Sequence, residues 1–229
     1  CGDANETVDV IRTAGIHVVM GNCEESLGLN MADCGCGFEE GSACDLLSVK
    51  WFAHANNSLD DDAKKWMAAL PRRLTFSMNG RRMTVIHGSA DEISRFIFSS
   101  TPLEDKRRQI DELGVDGVIG GHCGLPFNTD VDGRIWHNPG VIGMPANDAT
   151  ARTWFSILSP TPAGIDFTAH ALNYDHQGAA QSMGRANLPQ AYAETLTSGL
   201  WPNMDVLPAP ERALKGKALA ADCYFWSKD

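Results

Sequence analysis

Three polar side chains that could bind a metal ion, Asn22, His87 and His122, each follow a short apolar run and lie beside glycine. The runs are residues 16–20, 83–86 and 118–119. Such β-branched runs bounded by glycine predict strands, and α/β sheets place their chemistry just past the carboxyl ends of parallel strands. An amide oxygen and neutral imidazole nitrogens suit Mn, Fe, Zn, Co or Ni, so the pattern favours a divalent metal site.

Two interpretations of these residues stay open at this point. A single histidine after a strand is more often a hydrogen-bonded structural residue, whereas three ligand-type residues in equivalent positions favour a shared cation. Glycine beside each residue fits a close backbone approach, but glycine at a strand end is also common in turns.

Four stretches resemble the later motifs of the calcineurin-like metallophosphoesterases, and most of all their small bacterial phosphodiesterase-like branch. They are Gly-Asn-Cys-Glu at 21–24, His-Gly-Ser at 87–89, Gly-His-Cys-Gly-Leu-Pro at 121–126 and Asn-Pro-Gly-Val-Ile-Gly at 138–143. The resemblance covers roughly the first two thirds of the chain. It implies an α/β (α+β) fold, a four-layer α-β-β-α sandwich with two mixed β-sheets. It also implies that Asn22, His87 and His122 bind one of two divalent metal ions, and that a metal-activated hydroxide hydrolyses a small phosphate mono- or diester.

The chain departs from the family pattern in four places. No Asp-x-His and no suitable Gly-Asp motif precedes Asn22, so we expect the family's first strand and helix to lie upstream of Cys1. Two metal ions are expected if those motifs exist. Cys23 occupies the position of the family's catalytic histidine, and Gly124 replaces the second histidine of Gly-His-x-His. We therefore expect Cys23 or Glu24 to act on the leaving group, although a thiol with an ordinary pKa of about 8.5 is a weaker donor at neutral pH.

The seven cysteines suggest other functions. Their odd number, in a chain for which we expect no secretion signal, favours free thiols lining a pocket, or a thiolate cluster, over disulfides. The candidate cluster is Cys34, Cys36, Cys44 and Cys123, although its spacing is not the usual pair of Cys-x-x-Cys motifs. One alternative function is thus a thiolate-metal or redox protein. Another is a regulatory protein of the same fold that binds metal without competent catalysis.

The composition limits the partners. A net charge of −10 and a pI near 5.1 argue against nucleic acid, and no apolar run is long enough to span a membrane. We expect a cytoplasmic protein that takes a small phosphate ester, with a homo-oligomer left open. Arg95, flanked by apolar residues, could bind the substrate phosphate or pair with a carboxylate.

The element pattern predicts an α/β unit, a hairpin and a separate tail. Asn79-Gly80 is a strong hairpin signal between residues 74–76 and 82–87. We expect a strand at 16–20, a long loop at 24–41, a strand at 115–120 and an antiparallel pair at 153–158 and 165–171. Residues 1–173 would form the sandwich, and residues 174–229 a helical, proline-broken appendage anchored by aromatic side chains such as Trp201 and Trp226.

Overall fold

A computed structural model describes residues 3–36 and 43–228, which form helices and two β-sheets. The helices are α1 (Ala4–Ala14), α2 (Asn22–Gly28), α3 (Ala43–Ser58), α4 (Asp61–Ala68), α5 (Leu103–Leu113), α6 (His176–Arg185), α7 (Gln190–Ser198) and α8 (Ala209–Arg212). The strands are β1 (Arg73–Met78), β2 (Arg81–Ile86), β3 (Gly117–Ile119), β4 (Phe127–Val131), β5 (Arg134–Asn138), β6 (Thr153–Thr161), β7 (Gly164–Leu172) and β8 (Cys223–Ser227).

The first sheet is mixed and has the strand order β1-β2-β3-β5-β4. Strands β2, β3 and β5 are parallel, whereas β1 and β4 pair antiparallel at the two edges. The carboxyl ends of the three parallel strands therefore lie side by side at one end of the sheet. His87 follows β2 directly, and His122 lies a few residues beyond β3.

The predicted hairpin is confirmed. β1 and β2 pair from Arg73 opposite Ile86 to Met78 opposite Arg81. Asn79 and Gly80 both have positive φ angles, of 52° and 79°. A two-residue turn of this kind needs positive φ at both positions, which asparagine and glycine tolerate best.

Two predictions near the amino end are wrong. Residues 16–20 form no strand. In the described chain, the only backbone–backbone hydrogen bond that they make is from the Met20 N–H to the Pro71 carbonyl oxygen, at 2.8 Å. Residues 24–28, predicted as loop, belong to α2. Its first turn carries Glu24 and Glu25, and the Glu24 carboxylate accepts a hydrogen bond from the Gly21 N–H, which offsets the low helix propensity of the glycines.

The second sheet is antiparallel in each described pair, with the order β6-β7-β8. The predicted pair β6 and β7 is confirmed. Its third strand, β8, comes from the carboxyl-terminal segment, so the aromatic residues there continue the sheet rather than only packing on it. The division of the chain at residue 173 is not tested by this arrangement and stays a prediction.

The two sheets pack face to face. Met83 and Ile135 of the first sheet meet Phe167 and Trp226 of the second, and these side chains are fully or almost fully buried. On the other face of the first sheet, Ile110 of α5 packs in one cluster with the sheet residues there. The α+β class with two facing sheets, predicted from the sequence, is confirmed, but the expectation of two mixed sheets is wrong for the second sheet, because all of its described strand pairs are antiparallel.

Helices α1 to α4 precede β1 in the chain and pack on one another. They share a buried cluster that contains Val8, Leu27, Phe52 and Met67. In the tail, α6 and α7 pack together and reach Trp51 of α3. Among the described residues, no helix is long and apolar enough to cross a membrane.

Candidate metal centre

The side chains of Asn22, His87 and His122 converge at one point. The His87 Nε2 atom lies 2.8 Å from the Asn22 Oδ1 atom and 2.9 Å from the His122 Nδ1 atom. The two imidazole rings meet edge to face, with their centroids 4.9 Å apart. The structure thus brings together the three residues that the sequence singled out from segments far apart in the chain.

Asn22 is the first residue of α2, and its amide is held in one orientation. Its Nδ2 group donates to the Cys34 carbonyl oxygen at 2.8 Å and to the Cys36 sulfur at 3.2 Å. The amide oxygen therefore faces His87. This arrangement presents an oxygen ligand without a charge.

His87 is placed by close backbone approaches. A Cβ atom on Gly21 would lie 2.6 Å from the Glu24 carboxylate and 3.0 Å from the His87 ring, so a larger residue there would displace these side chains. On the other side, the Gly121 N–H donates to the His87 carbonyl oxygen at 2.7 Å. This bond ties the loop after β3 to the end of β2.

His122 has a left-handed backbone, with φ of 59°. This conformation costs a non-glycine residue roughly 1 kcal/mol or more, and such residues cluster at functional sites. The loop is held by Asn138, whose Nδ2 group donates to the Gly121 carbonyl oxygen at 2.9 Å and to the Cys123 sulfur at 3.2 Å. Sequence reasoning did not single out Asn138, although it begins the fourth family-like motif.

Both histidines are neutral at physiological pH. Burial lowers the pKa of His87 to about 4. Burial, followed by the neighbouring His87, lowers the pKa of His122 to about 3. Neutral imidazole is the form that binds metal ions, because its lone pair is available.

The donor set fits a divalent cation. Two imidazole nitrogens that face each other across 2.9 Å repel unless a proton or a cation lies between them. One amide oxygen and two nitrogens suit first-row divalent metals such as Mn, Fe or Zn. In the described part of the chain, no cluster of three or more His, Cys, Asp or Glu side chains is placed to hold a metal ion, so the candidate site consists of two histidines and the Asn22 amide.

Cys23 and Glu24, the predicted catalytic residues, both line a cavity between the first four helices, and Cys23 also lines the cleft that holds the two histidines. Burial, followed by the Glu24 charge, raises the pKa of the Cys23 thiol to about 12. The Glu24 carboxylate caps α2 through the Gly21 N–H at 3.0 Å. The sequence did not reveal this capping role because α2 was predicted as loop.

The predicted thiolate cluster is wrong for two of its members. Cys34 and Cys36 form a disulfide with each other, so neither is a thiolate. Gly35 between them has a φ of 61°, a left-handed turn that lets the chain fold back over two residues. Cys123 is buried in a separate apolar cluster with Phe98 and Leu207. The side chain of Cys44 lies outside the described residues.

Arg95 does not line the cleft with the histidines. Its guanidinium pairs with Asp105 at 3.2 Å and with Asp91 at 3.7 Å. The structure therefore shows the carboxylate pairing rather than the phosphate contact that the sequence also allowed.

The tail contributes to the cleft, which the sequence did not predict. Tyr192, Trp201, Pro202 and Val206 line it together with Asn22, His87 and His122. The local sequence carries no signal for this contact beyond the presence of aromatic residues, because it joins segments more than fifty residues apart.

A comparison with protein families identifies the family of the chain. The family model of the calcineurin-like phosphoesterase superfamily domain matches residues 1–158. The chain belongs to the calcineurin-like phosphoesterase superfamily. The match includes Asn22, His87 and His122, and it ends within β6.

Two solved structures share the fold. A hypothetical protein from Pyrococcus horikoshii OT3 is 14% identical, with a TM-score of 0.68, over 86% of this chain and 80% of that chain. A metallophosphoesterase from Sphaerobacter thermophilus is 20% identical, with a TM-score of 0.66, over 86% of this chain and 82% of that chain. No curated protein sequence matches the chain.

Proposed function

We propose that this calcineurin-like phosphoesterase is an enzyme that hydrolyses a small phosphate mono- or diester and depends on a divalent metal ion. The observation that carries the proposal is the meeting of the Asn22 oxygen with the His87 and His122 nitrogens within 3 Å at an open cleft. Family membership supports the same class of reaction.

Asn22, His87 and His122 would hold the ion, which could be Mn, Fe, Zn, Co or Ni. When bound, a divalent ion offsets the charge that develops on the phosphoryl oxygens and lowers the pKa of the attacking water. The Asn22 amide would keep its oxygen toward the ion because its Nδ2 group is occupied by Cys34 and Cys36. A second ion, which the family resemblance implies, would need ligands other than these three.

Cys23 would limit the choice of leaving group. Its thiol keeps its proton, since burial raises its pKa to about 12. A donor of this kind is a poor general acid at neutral pH, because efficient proton donors have a pKa near the working pH. We expect faster turnover of esters whose leaving groups need no protonation.

The chain's charge supports a small substrate. The net charge is −10, and none of the described residues that line the cleft is lysine or arginine. A polyanion would find no basic track to follow. The exclusion of nucleic acid and membrane partners, the cytoplasmic location and any homo-oligomer remain predictions from composition.

The test is metal-dependent hydrolysis. The purified chain would be treated with a chelator and reloaded with Mn²⁺, and the release of nitrophenolate from bis(p-nitrophenyl) phosphate and from p-nitrophenyl phosphate would be measured. We expect hydrolysis after reloading and none in chelator. Binding of Mn²⁺ without hydrolysis of either ester would refute the enzymatic proposal.

A second candidate is a metal-binding regulatory protein of the same fold. The raised pKa of Cys23, at the position that the resemblance assigns to a catalytic histidine, favours it. The test above separates the two, since this candidate requires metal binding without turnover. A thiolate-metal protein is not favoured, because Cys34 and Cys36 are joined in a disulfide.

A further inference from the structure

The cleft that holds the candidate metal ligands has a largely apolar wall. Its volume is about 440 Å³, and Phe96, Val141, Met144, Tyr192, Trp201 and Val206 are among the residues that line it. None of its described lining residues is lysine, arginine, aspartate or glutamate. A substrate in this cleft would thus meet hydrophobic surface outside the metal ligands.

Trp201, which belongs to this wall, is held in place from two sides. Its indole N–H donates to the Pro145 carbonyl oxygen at 2.7 Å, and its backbone N–H donates to the Asn147 side chain at 2.9 Å. Gly199, two residues earlier, packs so closely that an added Cβ atom would lie 2.2 Å from the Thr150 carbonyl oxygen. A ring fixed in this way loses little conformational freedom when it contacts a ligand.

The wall comes close to the candidate ligands. The Phe96 ring lies 4.2 Å, centroid to centroid, from the His122 ring and stacks on Phe98 at 5.8 Å. A group bonded to a phosphorus atom at the histidines would therefore lie near aromatic and aliphatic side chains.

Gly124 keeps the wall accessible. A Cβ atom there would lie 3.4 Å from Val141 Cγ1 and 3.9 Å from Trp201 Cζ2, so a larger side chain would project between them. The absence of a side chain leaves this space to a ligand.

We propose that the cleft selects phosphate esters that carry a single phosphate and an uncharged apolar group, aromatic or branched aliphatic, which packs against Trp201 and Val141. This inference rests on the proposed function, since it assumes that the phosphate binds at Asn22, His87 and His122. Burial of apolar surface favours such a group. A second phosphate or a charged group would lose its water without gaining an ion pair from the described lining residues.

The experiment compares two ligands that share one phosphonate group. Binding of methylphosphonate and phenylphosphonate to the Mn²⁺-loaded chain would be measured by isothermal titration calorimetry. We expect phenylphosphonate to bind at least about tenfold more tightly, which is less than full burial of a phenyl ring would give, because ordering costs offset part of the gain.

Two variants test whether the preference for phenylphosphonate depends on Trp201 and Val141. Trp201→Ala and Val141→Asp should each reduce the affinity ratio to about threefold or less. Val141 is 37% exposed, so Val141→Asp should fold even if loss of the Trp201 hydrogen bonds disturbs the other variant. The matched control is Phe225→Ala, which removes a 47% exposed aromatic ring of β8 outside the cleft and should leave the ratio unchanged.

The outcomes separate this inference from the proposed function. If methylphosphonate binds only with Mn²⁺ but phenylphosphonate binds no more tightly, the inference is wrong and the proposed function stands. If the chain binds no metal yet still prefers phenylphosphonate through Trp201, the apolar cleft stands and the metal site is wrong. If neither phosphonate binds, this inference is refuted, and the hydrolysis assay described above decides the proposed function separately.

Discussion

The pair of histidines at the candidate metal centre is unusual for a site held together by hydrogen bonds alone. His87 Nε2 contacts two possible acceptors, Asn22 Oδ1 and His122 Nδ1, and it can donate its one proton to only one of them at full strength. Burial keeps both rings neutral by lowering the pKa of His87 to about 4 and that of His122 to about 3. A cation in place of the proton would satisfy all three atoms at once.

The first prediction concerns these ligands. His87→Ala and His122→Ala should each lower the affinity for Mn²⁺ by more than about 100-fold, since even partners of metal ligands typically contribute ten- to hundredfold. The measurement is metal content by mass spectrometry after dialysis against limiting Mn²⁺, with circular dichroism as a check of folding. His170→Ala, on the outer face of the second sheet beside Phe155, is the control and should keep the wild-type metal content. Full metal content in either ligand variant would show that the site is elsewhere.

At the scale of single elements, α2 combines two functions that the sequence alone did not separate. Its amino end presents Asn22 toward the histidines, while the Glu24 carboxylate caps the same helix through Gly21. If Glu24 is catalytic, its loss should lower the rate of hydrolysis, whereas if it is a cap, its loss should lower the free energy of unfolding.

The second prediction distinguishes them. If Glu24 acts as a cap, Glu24→Ala should lower the free energy of unfolding by about 0.5–2 kcal/mol, as the loss of a helix cap usually does. Hydrolysis by the Mn²⁺-loaded chain should stay within about threefold of wild type. Urea unfolding and steady-state kinetics measure the two effects. A hundredfold loss of kcat with unchanged stability would instead assign the proton transfer to Glu24.

The third prediction concerns His137 of β5, which lies between the two sheets. Its Nδ1 atom is 2.8 Å from Asn128 Oδ1, its ring meets Phe167, and burial lowers its pKa to about 4. The unfolded chain binds a proton at this histidine below about pH 6.5, whereas the folded chain does so only near pH 4. The free energy of unfolding should therefore fall as the pH is lowered from 6.5 to 4, with about 3 kcal/mol of this from His137.

Urea unfolding in chelator at several pH values tests this effect. His137→Gln should reduce the slope of the unfolding free energy against pH by about 1.4 kcal/mol per pH unit within that range. His87 and His122 are present in both proteins, so their contribution cancels in the comparison. Equal slopes for the variant and the wild type would contradict the assignment.

At the scale of the whole molecule, the tail completes both the core and the cleft. β8 extends the second sheet, and Trp226 on it reaches the inter-sheet core, where its indole N–H donates to the Gly133 carbonyl oxygen at 2.8 Å. Trp201 from the same tail lines the cleft. The two sheets and the candidate site therefore depend on residues beyond the segment that matches the family model.

The fourth prediction compares two neighbours on β8 that point to opposite faces. Trp226 is 3% exposed and Phe225 is 47% exposed. Trp226→Ala should lower the free energy of unfolding by about 3–5 kcal/mol, because it leaves a cavity between the sheets. Phe225→Ala should cost less than about 1 kcal/mol. Urea unfolding measures both, and similar small losses would mean that the tail does not contribute to the core.

Features that depend on neighbouring residues could be predicted from the amino-acid sequence. The Asn79-Gly80 turn, the order of the strands around it and the glycine-flanked positions of Asn22, His87 and His122 are local signals, since each needs only a backbone angle or a short apolar run. The family motifs added the fold class.

Features that depend on partners distant in the chain required the folded structure. It paired Cys34 with Cys36, assigned Arg95 to Asp105 and Asp91, and added Trp201 to the wall of the cleft. It also left residues 16–20 without a strand partner in the described chain, although their composition suits a strand. A β-strand needs a neighbour for its hydrogen bonds and a cleft needs two walls, so the local sequence cannot encode either.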